Sequence, residues 1–382
     1  MRAFVLWLGG HQMSHLNSLC GPTSPIPRRR FLRSGAAGWL ALGGLAARGK
    51  AAGPEEAKPF FPTRGVVLVP SDLTTWDWPE QAERAGLSTI GTHVFPHQVA
   101  EFVRTDEGQR FLERCRTLGI EVEHELHSIG DLLPRALFAR DATMFRMNAS
   151  GDRVADCNLC VHSKAAVEVV CGNARKYARL LRPTTGRYFY WIDDGRPMCH
   201  CPKCRGLSDS DQALLLENEM LRALRQIDRR ATLAHLAYAN TYRAPVQVKP
   251  VEGIFLEFAP IHRNYDVPFS QRDSKFGAYT HGQLLDHLDA NLEVFGSAGA
   301  QALEYWLDES RFLRHLKPPR PERVKIPWDR DVFRADLETY AKRGVRHVTT
   351  FAVKIDGPYV ERFGRPPLDE YGADLSNWPE LG

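Results

Sequence analysis

From Arg64 onward, short runs of β-branched and aromatic residues alternate with longer stretches whose apolar side chains recur at three- and four-residue intervals. A period of two marks a strand and a period near 3.6 marks an amphipathic helix. The runs predict strands at 66–70, 88–93, 120–127, 188–193, 232–239, 253–258, 300–306 and 347–354. The stretches predict helices at 79–85, 108–118, 164–181, 209–227, 282–295 and 331–343. Repeated strand and helix units build a parallel sheet. Eight of them in about 300 residues suit a closed (β/α)8 TIM barrel of the α/β class, which typically takes around 250 residues and more with insertions. No G-x-G-x-x-G or phosphate-loop motif follows the first strand, which argues against a doubly wound open sheet. The long connections at 128–163 and 259–281 read as insertions on the face where the strands end. With no internal repeat and no low-complexity linker, residues 60–382 are expected to form one barrel domain.

The predicted strands end in chemistry: Ser71 and Asp72, His93, His127, Asp193 and Asp194, Tyr238, Glu257, Glu304 with Asp308 nearby, and Lys354. In a barrel this is the face that carries the site. Each residue alone has a structural use, such as a helix cap for Asp72, a half-buried satisfied histidine for His93, or an Asx turn for Asp193-Asp194-Gly195. Their coincidence on one face is what singles them out.

Cysteine spacing adds a second signal. Cys199-His200-Cys201-Pro202-Lys203-Cys204 is a C-x-C-x-x-C run, and Cys157-Asn158-Leu159-Cys160 supplies C-x-x-C upstream. Two short loops can bring four thiolates around a tetrahedral zinc. The favoured set is Cys160, Cys199, Cys201 and Cys204, with Cys157 or His200 as substitutes. Four thiolates leave no open metal position, so the zinc would be structural and would brace the loop after Asp194. Disulfides are the competing reading for an exported chain. Cys115 and Cys171 fall on apolar helix faces and read as core.

The N-terminus bears on that competition. Arg28-Arg29-Arg30-Phe31-Leu32-Arg33, a weakly apolar small-residue stretch from 35 to 47, and Ala51-Ala52 have the layout of a twin-arginine export signal over residues 1–52. Such cargo folds before export, where thiols are reduced and metal can be loaded. The expected destination is periplasmic or extracellular. Residues 1–52 hold seven basic and no acidic residues, so the formal charge of +4 becomes −3 without them. That balance offers no electrostatic case for a nucleic-acid partner. Beyond the leader no apolar run approaches the roughly 18 residues a membrane span needs.

The run W-I-D-D-G-R-P-M-C-H-C-P-K-C-R-G-L-S-D-S-D-Q-A-L-L from Trp191 to Leu215, L-A-Y at 236–238 and F-L-E-F-A-P-I-H-R at 255–263 resemble the bacterial family known as domain of unknown function 4838. The resemblance implies a barrel related to glycoside hydrolases. Some relatives are classed in glycoside hydrolase family 163 as endo-acting β-N-acetylglucosaminidases on N-glycans. The cysteines are also similar to those of the β-galactosidases of glycoside hydrolase family 42. There a cysteine before the fourth strand joins a C-x-C-x-x-C run just after the acid-bearing end of that strand, and together they hold zinc. Asp194 falls where that acid would be, although a glutamate after asparagine stands there in that family.

These resemblances imply a carbohydrate substrate, with Asp194 as the general acid and Asp193 as the neighbouring charge that keeps it protonated. The partner is open between two routes. Glu304 at the seventh strand could be the nucleophile, or the substrate's own 2-acetamido oxygen could attack while an adjacent carboxylate orients it. The family resemblance leans to the second. His93, His127, Tyr238, Glu257 and Trp306 are expected to bind substrate, and Trp191 and Tyr305 are further candidates for sugar-face contacts. The rival expectations are a non-catalytic carbohydrate-binding barrel, a zinc hydrolase built on His93, His127 and an aspartate, and a thiol oxidoreductase at Cys157 and Cys160.

Overall fold

The computed structural model describes residues 59–379. Eight parallel strands close into a barrel: β1 Thr63–Leu68, β2 Thr89–Val94, β3 Glu121–His127, β4 Arg187–Trp191, β5 Thr232–Ala237, β6 Ile254–Phe258, β7 Gln301–Glu304 and β8 His347–Phe351. Each strand pairs with its neighbours in sequence, and β8 returns to β1 with Thr63 opposite His347. Helices cover the outside: α1 Trp78–Arg84, α2 Pro96–Phe102, α3 Asp106–Leu118, α4 Ile129–Leu132, α5 Lys164–Leu180, α6 Asp209–Leu224, α7 His281–Phe295, α8 Glu309–His315, α9 Arg330–Ala341, α10 Gly357–Phe363 and α11 Leu368–Ser376. The predicted export signal at 1–52 lies outside the described residues. Among the described residues no helix is long and apolar enough to cross a membrane.

The alternation of side chains divides each strand between two cores. Val67, Phe189, Trp191, Leu236, Phe255, Leu303, Tyr305 and Phe351 point into the barrel and pack on one another. Val66, Leu68, Ile90, Tyr190, Leu233, Leu256, Ala302 and Val348 point outward under the helices. Residues one apart on a strand therefore belong to different environments. This division decides which of the strand-end residues can meet.

The sheet ladders stop short of the predicted strand ends at β4, β5, β7 and β8. Residues 192–193, 238–239, 305–306 and 352–354 leave the ladder for the loops of the open face. Three non-glycine residues on those loops have a left-handed backbone: Asn158, Ala239 and Lys354, with φ of 42°, 49° and 67°. Such conformations persist where surrounding contacts over-determine them.

One crossover departs from the expected alternation. Between β5 and β6 a 3-10 turn, Ala239–Thr241, is followed by extended chain, and no α-helix forms among these residues. Pro245 and Pro250 exclude a continuous helix there. Helix α6 holds the extended chain instead. The Asp211 carboxylate accepts the backbone N–H groups of Val246, Gln247 and Val248 at 3.0, 2.8 and 2.9 Å, while Asn218 bonds Val251 and Lys249. Asp211 also closes the capping box of α6 with Ser208, so one side chain starts the helix and straps the crossover to it.

Candidate active site and thiolate cluster

The floor of the barrel mouth is Trp191. Its indole N–H donates to Glu257 at 2.7 Å below, and the rings of His93 and His127 lie 5.6 and 5.1 Å from it. His93 donates through Nδ1 to the carbonyl of Glu125 at 2.7 Å, and His127 to that of Ile192 at 2.9 Å. Each bond places a proton on Nδ1. Burial, reinforced by His127, pushes His93 down to about 3, so its ring is neutral at any ordinary pH. Among the described residues these histidines do not join a carboxylate in a metal-ligand group.

Asp194 follows β4 at the rim and is half-buried. The Tyr238 phenol lies against it, and burial followed by the Asp194 charge pushes that phenol's pKa up. His262 is held below the usual imidazole range by burial and by Arg311, with the Asp194 charge opposing them. Tyr305, pointing inward from the end of β7, is pushed up chiefly by burial, with Asp194 contributing. Asp194, Tyr238, His262 and Tyr305 therefore share one side of the mouth.

Asp193 has a different job. One oxygen accepts from the Arg135 guanidinium at 2.7 Å and from the backbone N–H of Asn158 at 2.5 Å. The Asn158 side-chain carbonyl accepts the backbone N–H of Asp193 at 3.0 Å, and its amide donates to the carbonyls of Arg196 and Pro197, each at 3.1 Å. Arg135 returns to the carbonyl of Asn158 at 2.7 Å. Asp193 thus anchors the loop that presents Asp194 rather than facing substrate with it. Nothing in the spacing marked Arg135, Asn158 or His262 beforehand, although His262 lies within the F-L-E-F-A-P-I-H-R run.

Three expected site residues lie elsewhere. Glu304 is fully buried and points outward from β7 toward α9, where Tyr265 donates to it at 2.6 Å, Tyr340 also donates, and Arg263 pairs with it at 3.2 Å. Arg263 pairs in turn with Asp336 of α9 at 2.5 Å. Trp306 has the same outward parity, donating to Asp336 at 2.9 Å and packing on Phe333. The expectations of a β7 nucleophile at Glu304 and a sugar platform at Trp306 are corrected: strand parity puts both behind the barrel wall. Glu257 points inward but lies under Trp191 with no exposure, so it supports the floor without reaching substrate.

Beneath that floor the buried Glu123, Glu125 and Glu257 share the barrel interior with Arg187. Arg187 lies 3.5 Å from Glu123, and Gln301 donates to Glu257 at 3.2 Å. Burial above all raises Glu257 from its ordinary value near 4.5 to about 8, and Glu125 also rises, with Glu257 adding repulsion. A carboxyl raised in the folded state contributes stability that is full below about 4.5 and is lost as pH rises through about 8. Glu257→Gln, which keeps an acceptor for Trp191, is therefore expected to match the wild type in thermal midpoint below pH 4.5 and to gain on it progressively toward pH 8. A constant difference across that range would show that Glu257 does not titrate there.

Cys160, Cys199, Cys201 and Cys204 are buried, and their Sγ atoms all lie within 4.8 Å of one another. Cys160 is 3.7 Å from Cys201 and 3.9 Å from Cys204. Those separations far exceed a disulfide bond, and the described cysteines are all free. A tetrahedron of metal–sulfur bonds of about 2.3 Å has edges of about 3.8 Å, so the four sulfurs can hold a metal. The backbone N–H groups of Met147 and Cys201 donate to Cys199 Sγ at 3.3 and 3.5 Å, which favours thiolates. Gln212 of α6 grips the loop, accepting the N–H of Cys199 and donating to its carbonyl. Cys157 stands apart, directed to the carbonyl of Pro197 at 3.7 Å. Asn158, between Cys157 and Cys160, connects the cluster to the Asp193 anchor.

With this geometry in view, comparison with known proteins defines the class. A model of the family described as domain of unknown function (DUF4838) matches residues 56–283, more than half of the chain, and the chain belongs to that family. No curated protein matches it. Among solved structures it is similar to a β-galactosidase from the psychrophilic Marinomonas ef1, at 11% identity and a TM-score of 0.49, covering 82% of this chain and 59% of that one. The chain thus spans about three-fifths of that protein's length. It is also similar to an endo-1,4-β-D-mannanase from Thermotoga petrophila RKU-1 (9% identity, TM-score 0.45, 81% of this chain and 99% of that one). A third is a xyloglucanase from Bacteroides ovatus (13%, TM-score 0.42, 80% and 68%).

Proposed function

We propose that this chain is a glycoside hydrolase acting on a glycan at a β-linked 2-acetamido sugar. The observation that carries the reading is the placement of Asp194: a half-buried carboxyl at the end of β4, against Tyr238 and on a loop anchored through Asp193. Asp194 gives its proton to the glycosidic oxygen as the bond from C1 breaks. Glu304, the carboxylate expected as its partner, faces outward from β7, which favours attack on C1 by the substrate's own acetamido oxygen. Water then opens the cyclic intermediate, and Asp194 recovers a proton from it. Neutral His93, with His127 beside it over Trp191, forms a floor for sugar hydroxyls and an apolar ring face.

Zinc fits the thiolate cluster, with Cys160, Cys199, Cys201 and Cys204 as its ligands and no open position. Bound there, it would brace the Asp194 loop and supply no Lewis acid to the substrate. The purified protein is expected to hold one zinc per chain by elemental analysis. Cys204→Ser should lose it, with faster hydrogen exchange at residues 193–204 while the strands stay protected. Metal content unchanged by that substitution would refute the assignment. The twin-arginine reading of residues 1–52 agrees with thiols that load metal before export, and the N-terminal sequence of periplasmic or secreted protein tests it.

The outward Glu304 equally favours one rival, a carbohydrate-binding barrel without catalysis. Hydrolysis of aryl 2-acetamido-2-deoxy-β-glucoside, beside aryl β-glucoside and aryl β-galactoside, separates the readings. Turnover of the acetamido substrate alone is the expected result. Turnover of all three would remove the substrate-assisted route, and binding of acetamido oligosaccharides without turnover of any would establish the rival.

A further inference from the structure

The segment after β7 is strongly basic. Residues 309–325 include Arg311, Arg314, Lys317, Arg320, Arg323 and Lys325 against only Glu309 and Glu322, while residues 53–382 as a whole carry a formal charge of −3. Arg323 is committed to Glu309 and Asp356, at 3.0 and 2.7 Å. Arg314 lies 3.8 Å from Asp308. Arg311 differs from both. Its guanidinium is buried, 4.0 Å over the ring of Tyr265 and 5.4 Å over that of Phe276, and it donates to the carbonyl of Arg263 at 3.1 Å. Among the described residues no carboxylate comes within ion-pair distance of it, and its Nε is buried with no hydrogen-bond partner.

Asp308 and Glu304 attract this cation only from beyond ion-pair distance, and a buried cation held at close range by ring faces and one carbonyl rather than by an anion is costly. An arriving anion would relieve that cost. The cations also border the mouth: the Tyr265 ring under Arg311 lies 6.5 Å from the inward-facing Tyr305 ring, and the His262 ring lies 6.3 Å from that of Tyr238. His262 responds to Arg311 and Asp194 together, and Tyr238 to Asp194, Arg314 and Asp308. His315, at the end of α8, is pushed down to about 4 by partial burial, then by Arg311, Arg314, Arg320 and His262.

We propose that this flank of the mouth is a subsite for an acidic sugar, where Arg311 and Arg314 bind the carboxylate or sulfate group of the unit adjoining the cleaved 2-acetamido sugar. It rests on the reading of the mouth as a glycan site. Guanidinium pairs bidentately with either anion. The substrate class is thus a glycan in which acetamido sugars neighbour acidic ones.

Calorimetric binding to full-length Asp194→Asn, which silences turnover, tests this. The probes are an oligosaccharide alternating glucuronate with N-acetylglucosamine, its carboxyl-reduced counterpart, a neutral N-acetylglucosamine oligomer and a sulfated one. At least tenfold tighter binding of an acidic probe than of its neutral counterpart is expected, and which acidic probe binds identifies the anion. Arg311→Met should abolish the preference. Arg314→Gln, at a partly exposed position, should reduce it severalfold and covers the case in which Arg311→Met fails to fold. Equal binding of acidic and neutral probes would overturn the subsite and leave the glycan reading intact. Binding of a DNA duplex as tight as that of the acidic sugar would also overturn it, in favour of a general polyanion surface. Failure of every sugar to bind would sink the glycan reading itself, and the subsite with it.

Discussion

Asp194→Asn is expected to lower kcat on an unactivated 2-acetamido glycoside by about 10²–10⁴-fold, the usual range for loss of a general acid. The amide is nearly isosteric and can still accept from Tyr238, so KM should move little. The diagnostic is leaving-group dependence. A nitrophenolate departs without full protonation, whereas an alkoxide or sugar hydroxyl does not. The variant should therefore lose far less activity on nitrophenyl than on disaccharide substrate. Equal losses on both would show that Asp194 orients substrate rather than donating a proton. Asp193→Asn acts through position: it weakens the pairing with Arg135 and the acceptance of the Asn158 N–H, so its losses should not depend on the leaving group.

The largest stability effect is expected at Arg263. Arg263→Met leaves Glu304 and Asp336 buried without their cation, and breaking such a network from the cationic side costs about 3–5 kcal/mol. Arg263 also stacks 3.9 Å over Tyr265 and ties the 259–281 insertion to β7 and α9. Urea unfolding reads the loss directly. Glu304→Gln is the informative companion. It keeps an acceptor for only one of the two tyrosine hydroxyls and removes one of the two carboxylates paired with Arg263, so it should cost about 1–3 kcal/mol, the range for leaving a buried polar group unsatisfied. Hydrolytic activity in that variant should stay within a few-fold of wild type. A loss of several orders of magnitude would restore Glu304 as the nucleophile and overturn its outward placement.

The order of strands and helices was readable in the chain because it is local. Periods of two and 3.6 come from backbone geometry, and the ladders start within about three residues of the predicted positions, the precision expected of boundaries. The lack of a helix between β5 and β6 is local as well, since Pro245 and Pro250 exclude one. The extended chain there is stable because Asp211 and Asn218 of α6 satisfy its backbone, a long-range pairing that no local pattern announces.

The site divides along the same line. Cysteine spacing by itself was enough to bring Cys160, Cys199, Cys201 and Cys204 forward, because a tetrahedral metal constrains short loops directly. The position of Asp193 and Asp194 at the end of a predicted strand was likewise enough to mark that pair. Only the closed barrel decided between neighbours: Tyr305 faces the mouth while Glu304 and Trp306 face α9, and Asp194 meets Tyr238 while Asp193 turns to Arg135. On a strand one residue reverses the side chain's direction. Which direction is inward depends on strand register and barrel closure, which belong to the assembled chain and not to any segment of it.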